Sequence, residues 1–336
     1  VVQAGIVGTG YGGREVLRLL ALHPEAEVAA VSSTSAAGKP LGDALPSLRG
    51  VYDITCDPFD AKALSDKCDV VFIAVPGTES MSFAKELREA GGRVIDVGPD
   101  FRLNDAEIFQ SYYKTGHTAP ELLEESVYGL CCQNRAQLTD ANLVAVPGCY
   151  PISVITPLLP LADAPLSDIP IVIDSVSGVS GAGKSLRESF HFSEMNENLW
   201  AYKIAVHQHV PEMEQALGYK HILQFTPHVG PYTRGILSTI TVRPSGKLDM
   251  AELYEAYSDE PFIRVLGAGN LPELRFVRGS NFCDLGWVED ERTGNIVIVS
   301  AIDNLVGGTA GMAVQCMNIM FGIDERAGLF TGGMAP

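Results

Sequence analysis

The chain has 336 residues, enough for about two domains, and its 46% hydrophobic content is ample for ordinary cores. Twenty-four basic against forty-one acidic residues give a net charge of −17, which argues against a nucleic-acid or anionic-membrane surface but leaves room for a small basic pocket. No apolar run approaches the roughly 18 residues of a membrane span, no signal-peptide pattern opens the chain, and the seven cysteines show neither a CxxC pair nor disulfide-like spacing, so a cytoplasmic, reduced protein is expected.

Gln3 to Val7 reads as a strand, and Tyr11 to Leu22 carries helical apolar spacing at Val16, Leu17, Leu19 and Leu20. Between them, Gly8-Thr9-Gly10-Tyr11-Gly12-Gly13 matches the glycine-rich turn that lets backbone N–H groups approach a pyrophosphate at a helix N-terminus. A second strand, 27–32, ends at Ser32-Ser33 with no carboxylate for a ribose 2′-hydroxyl. Those hydroxyls, with Lys39 nearby, favour a 2′-phosphate and hence NADP(H). Strands at 69–75 and 93–97 flank a helix running through Arg88, so the N-terminal half reads as a Rossmann-like α/β parallel sheet covered on both faces.

Leu143 to Val146 is a further strand, and Pro147-Gly148 is a turn signal. Pro151 suits the first turn of a helix, so Cys149 is expected just before that helix begins. Its sulfur would face unpaired N–H groups and the positive end of the helix dipole, a setting that favours a nucleophilic thiolate. After Cys149 the texture changes: 169–176, 221–228, 234–243, 276–277 and 296–302 are strand-like, which fits an α+β domain with a mixed or antiparallel sheet. Val306 to Met320 is apolar and reads as a helix that returns to the first domain. The division expected is therefore 1–148 for cofactor binding and 149–305 for catalysis and oligomerisation, with 306–336 packing back on the first part.

Ser177 to Lys184 follows a strand with a small-residue loop that allows close backbone approach to a cofactor or substrate; its spacing is not that of a P-loop. His207 and His209 precede a short helix. Alternating histidines suit a metal, but no ligand cluster completes a set, so no metal is expected. Acid–base work with the thiolate is the better reading for one of them, and a structural hydrogen bond for the other.

Taken together, Gly10-Tyr11-Gly12-Gly13, Asp100-Phe101-Arg102-Leu103, Val146 to Pro151, Ser177 to Gly183, His207 to Glu212, Phe225-Thr226-Pro227-His228, Arg234-Gly235-Ile236-Leu237 and Asp303-Asn304-Leu305 resemble the N-acetyl-γ-glutamyl-phosphate reductases of arginine biosynthesis, within the aspartate-semialdehyde dehydrogenase superfamily. The chain departs from the family in a first glycine loop one residue shorter, in Ile152 for a common Thr, and in a short segment before His207. The resemblance implies an NADP-binding domain, a catalytic and oligomerisation domain in a dimer or tetramer, and a small acyl-phosphate substrate reduced through a Cys149 thioester. It also implies His209 as acid–base, with His207 in reserve, and Arg102, Ser177, Lys184 and Arg234 on the substrate. Pro76, Ser180, Gly181, Gly183 and Asn304 join the glycine loop, Ser32, Ser33 and Lys39 at the cofactor. The alternatives are a reductase of aspartyl phosphate or of a carrier-linked aminoadipyl phosphate, and a non-catalytic NADP sensor. The aspartyl type carries a histidine soon after its Arg-Gly, where this chain has Ile236, and a carrier protein would want a basic rim.

Overall fold

Six parallel strands make the first sheet: β1 (Val2–Val7), β2 (Ala26–Ser32), β3 (Val70–Ile73), β4 (Val94–Asp96), β5 (Ser126–Tyr128) and β6 (Leu143–Ala145), in the order β2-β1-β3-β4-β6-β5. The computed structural model describes residues 1–335. β3, β4 and β6 are fully buried and, apart from Asp96 at the end of β4, apolar, as a parallel sheet covered on both faces requires. This unit comprises Val1–Pro147 and Thr309–Phe330, so the apolar helix Gly311–Met320 belongs to it. The segment grouped with this unit is narrower than 306–336, because residues 306–308 and 331–335 fall with the second unit.

The second unit, from Gly148 to Gly308, holds a seven-stranded mixed sheet. Its strands are β7 (Ile171–Gly178), β8 (Trp200–Ala201), β9 (Leu223–Gly230), β10 (Ile236–Val242), β11 (Ile263–Ala268), β12 (Cys283–Asp290) and β13 (Asn295–Ile302), ordered β11-β12-β13-β10-β7-β9-β8. β7–β9 and β11–β12 pair in parallel and the other neighbours antiparallel. Two features differ from expectation. The 276–277 segment is the end of a 3₁₀ turn, Leu274–Phe276, and β8, β11 and β12 lie where no strand was expected. Gly286 interrupts the apolar pattern of β12 for a steric reason: a β-carbon there would stand 1.9 Å from the Asn270 carbonyl oxygen.

β4 ends in a buried carboxylate network. Asp96 Oδ1 accepts from the Gly98 N–H at 2.9 Å, while Ser80 Oγ lies 3.0 Å from Asp96 Oδ2 and 2.8 Å from Asp100 Oδ2. One hydroxyl proton cannot serve both acceptors, so a carboxyl proton completes the second bond. Burial, then the Asp100 charge, push Asp96 up to about 7, against the pull of the Gly98 N–H, Arg102 and Ser80. A carboxyl held above its unfolded value stabilises the fold fully below about pH 4, and that stability is lost as pH rises toward 7. The unfolding free energy from denaturant titrations across this range should fall by on the order of 1 kcal/mol per pH unit through this group, and Asp96→Asn should flatten the slope. Equal slopes in the two proteins would rule the shared proton out.

Candidate active site

The helix Cys149–Leu158 is buried from Tyr150 onward, so it can sit on the second sheet only through small or apolar contacts. Ser153 Oγ bonds Ser238 Oγ at 2.8 Å, and Ser238 bonds Ser175 at 2.6 Å, tying the helix to β10 and β7. Pro157 has no N–H, so the Ser153 carbonyl loses its helical partner, and the Ser300 hydroxyl of β13 donates to it instead. These serines fix the helix against the sheet and thereby fix its first residue. That residue is Cys149 itself, with Gly148 as N-cap, so the cysteine opens the helix rather than preceding it. Glu212, buried in the short helix Val210–Ala216, accepts the Gly148 N–H at 2.8 Å and holds the turn. Gly308 lets the chain pass behind Cys149, since a β-carbon there would lie 2.9 Å from Cys149 Cβ.

Cys149 lines a cavity of about 360 Å³ together with Ser177, Gly181, His207, His209 and the rings of Tyr150 and Tyr202. The two histidines differ sharply. His207 is 2% exposed, packed edge-on against Tyr150, Tyr202 and Phe225, and its Nδ1 accepts the His209 backbone N–H at 3.1 Å. Burial, then the Lys203 charge, depress it to about 3, so it is neutral near pH 7. His209 is half-buried. Tyr150 donates to the His228 carbonyl at 2.9 Å, and Tyr202 donates to Tyr150 at 3.4 Å. Burial raises both phenols, Tyr202 to about 12, so both stay protonated donors.

The other expected substrate residues lie elsewhere. Arg102 is buried in the first unit, where Nε donates to the Val146 carbonyl at 2.7 Å and Nη2 to Val97 at 3.1 Å, so it braces the end of β6. Arg234 stands 3.6 Å from the fully buried Asp303, and Lys184 is exposed and does not line the cavity. The cations that do line it are Arg187 and Lys203. Neither carried a motif signal, and residues 184–203 hold three basic and three acidic side chains, so charge did not mark the segment. Glu212 stood within the His207–Glu212 segment, but its role depends on a contact 64 residues away.

Asn304 accepts the Gly235 N–H at 2.7 Å and donates to Ser180 Oγ at 3.0 Å, which joins two loops of the second unit. Gly183 has φ +72°, open to glycine, and Gly181 leaves room for Ser177 Oγ, 3.0 Å from where a β-carbon would stand. In the first unit, Gly8 has φ +105° and its β-carbon would meet the Ala74 oxygen at 2.4 Å; one on Gly13 would meet the Gly8 oxygen at 2.1 Å. The helix Tyr11–Leu20 starts from Gly10 just beyond this turn. Thr9 Oγ1 lies 3.0 Å from Ser33 Oγ, and Ser35 Oγ lies 3.5 Å from it, forming a hydroxyl cluster at the end of β2. Ser32 is not part of it: its hydroxyl is buried within the unit. Lys39 and Pro76 are exposed.

Two family models match. The NAD binding domain of the semialdehyde dehydrogenases covers residues 3–141, and their dimerisation domain covers 149–304. An N-acetyl-gamma-glutamyl-phosphate reductase of Pelotomaculum thermopropionicum is 46% identical over 345 residues, spanning 100% of this chain and 99% of the relative. One of Pseudomonas syringae pv. syringae is also 46% identical, over 100% of both. In fold, the chain is similar to aspartate semialdehyde dehydrogenase II of Vibrio cholerae, with TM-score 0.74 and 17% identity over 95% of this chain and 98% of that one. The Candida albicans aspartate semialdehyde dehydrogenase solved with NADP gives TM-score 0.69 at 18% identity, over 96% and 98%. The chain belongs to the N-acetyl-γ-glutamyl-phosphate reductase family of the semialdehyde dehydrogenases.

Proposed function

We propose that this protein reduces N-acetyl-γ-glutamyl phosphate to the semialdehyde and phosphate with NADPH, through a thioester on Cys149. The observation that carries the reading is one cysteine at the first turn of a buried helix, facing a cavity with a half-buried histidine and no carboxylate in its lining. The Cys149 thiolate attacks the acyl carbon, the carbon–oxygen bond to phosphate breaks, and phosphate leaves. Gly148's N–H is taken by Glu212 and Pro151 has none, so the Cys149 and Tyr150 amides are the first-turn donors for the oxyanion. His209 takes the thiol proton and passes it to the departing phosphate, and later returns a proton to the Cys149 sulfur when the aldehyde is expelled. NADPH, when bound, supplies the hydride that takes the acyl group to the aldehyde level.

The glycine turn at Gly8 and Gly13 is a cradle that a β-carbon would fill, and Thr9, Ser33 and Ser35 offer hydroxyls at the end of β2. Both features fit NADP(H), and we assign the 2′-phosphate to that hydroxyl cluster. The test is the reverse reaction, following NADP⁺ reduction with N-acetylglutamate semialdehyde and phosphate, with aspartate semialdehyde and NAD⁺ as controls. Failure with the N-acetyl substrate overturns the assignment. In the same assay Ser33→Asp should weaken NADP⁺ use by like-charge repulsion and narrow its advantage over NAD⁺; an unchanged kcat/KM ratio would move the discriminating contact to another residue.

The chain is also read as a cytoplasmic homo-oligomer. Opposite the Cys149 helix, the second sheet carries Val172 and Val176 of β7, Leu237 and Thr239 of β10 and Val297 of β13 in register, all only half-buried. A second copy covering this face fits the pattern. Among the described residues no helix is long and apolar enough to cross a membrane.

A further inference from the structure

We infer that Arg187 is the residue that holds the substrate's free carboxylate, and that the cavity's charge pattern selects an acylated over a free α-amino group. The inference rests on the activity proposed above and names how that substrate is gripped. Arg187 lines the same cavity as Cys149, with its guanidinium over the Phe190 ring at 5.8 Å. Phe190 in turn stacks on Trp200 with centroids 6.0 Å apart, and Trp200 pairs with Val229 as part of the sheet. The arginine is therefore carried by an aromatic stack anchored in β8, and it makes no ion pair among the described residues although the chain has 41 acidic side chains.

The two ends of the substrate have different needs. The phosphate leaves from the carbon that Cys149 attacks, so it lies against the start of the Cys149 helix and the side of the cavity that carries His209. The other cavity cation, Lys203, bonds Gln208 Oε1 at 2.8 Å, next to that histidine. The carboxylate lies at the far end of a short methylene chain, toward Phe190 and Trp200, and Arg187 is the lining cation carried by that stack. Its charge acts on the Tyr202 hydroxyl. A guanidinium meets a carboxylate through parallel N–H donors, which an ammonium cannot reproduce. No carboxylate lines the cavity, so a substrate with a free α-ammonium group would face two cations with no counter-ion, whereas an acylated nitrogen brings no charge and packs on the aromatic wall.

The test uses the full-length protein with NADP⁺ and phosphate. Arg187→Gln should raise KM for N-acetylglutamate semialdehyde about 10- to 100-fold, the loss expected of one charge-assisted contact, with kcat little changed and KM for phosphate unmoved. Arg187→Lys should recover part of the loss. With 4-acetamidobutanal, which lacks only the carboxylate, wild type and Arg187→Gln should be equally poor. A KM for the natural aldehyde within twofold of wild type overturns the inference, as does an equal loss on the carboxylate-free aldehyde or a raised KM for phosphate. Wild-type protein inactive on N-acetylglutamate semialdehyde would instead remove the function proposed above, so the two failures are distinguishable.

Discussion

Cys149→Ser should abolish reductase activity by several orders of magnitude while leaving NADP(H) binding intact. Serine is close to isosteric, so the Gly308 contact, the Glu212 bond to Gly148 and the serine packing under the helix all survive the change. What is lost is the nucleophile: an alkoxide is not available near neutral pH, and an oxygen ester is a poorer hydride acceptor than a thioester. Because deletion of a covalent nucleophile removes the whole route, the effect should dwarf that of any binding residue. Steady-state rates paired with cofactor fluorescence titration check this, and a mutant retaining more than a tenth of the normal rate would sink the covalent mechanism. Cys131 and Cys132 provide the control. Cys131 is buried in the first unit, its sulfur 3.7 Å from that of Cys316, and burial raises its thiol well above the ordinary value. Substitution at either position should cost little activity.

The second large effect is at His209. His209→Asn should slow turnover by about 10²–10⁴ and reshape the pH profile, as removal of a general acid–base does. The neighbouring His207 is the internal comparison. Its folded value is pushed down to about 3, so it carries no proton across the range in which enzymes of this kind work and cannot be the group that titrates in the rate profile. A histidine depressed in the fold contributes stability that is present above its unfolded value, near 6.5, and is lost as pH falls toward 3. His207→Asn should therefore disturb stability at low pH more than it disturbs kcat. Iodoacetamide labelling of Cys149 near neutral pH gives an independent readout: it should slow in His209→Asn and change little in His207→Asn. The opposite pattern would exchange the two assignments, and normal labelling and turnover in both would make the pair structural.

The sequence by itself determined the parts of this protein that rest on local chemistry. Gly8 and Gly13 are required by a turn so tight that a β-carbon would strike backbone oxygen, and a steric requirement of that kind leaves a mark in the sequence. The same holds for Cys149, whose place is set by a short apolar strand, Pro-Gly and a proline in the first turn. The apolar run of β3 announces a buried strand by its length and composition. β12 stayed hidden because Gly286 answers to a chain crossing at Asn270, and nothing in its own neighbours encodes that crossing.

Tertiary structure alone decided which charged residues meet the cavity. Arg102, Lys184 and Arg234 sit beside conspicuous motifs, yet Arg102 spends its donors on the carbonyls of Val146 and Val97, and Arg234 faces Asp303. Arg187 and Lys203 reach the cavity because the excursion between β7 and β9 folds over it and is pinned by the Phe190–Trp200 stack. It also separated two histidines that look interchangeable in sequence, by burying one among three aromatic rings. A charge's partner depends on contacts between residues far apart in the chain, whereas a turn or a helix start depends on its immediate neighbours. That difference in range is why the helix-start cysteine and the glycine loop could be read from the sequence and the cavity's cations could not.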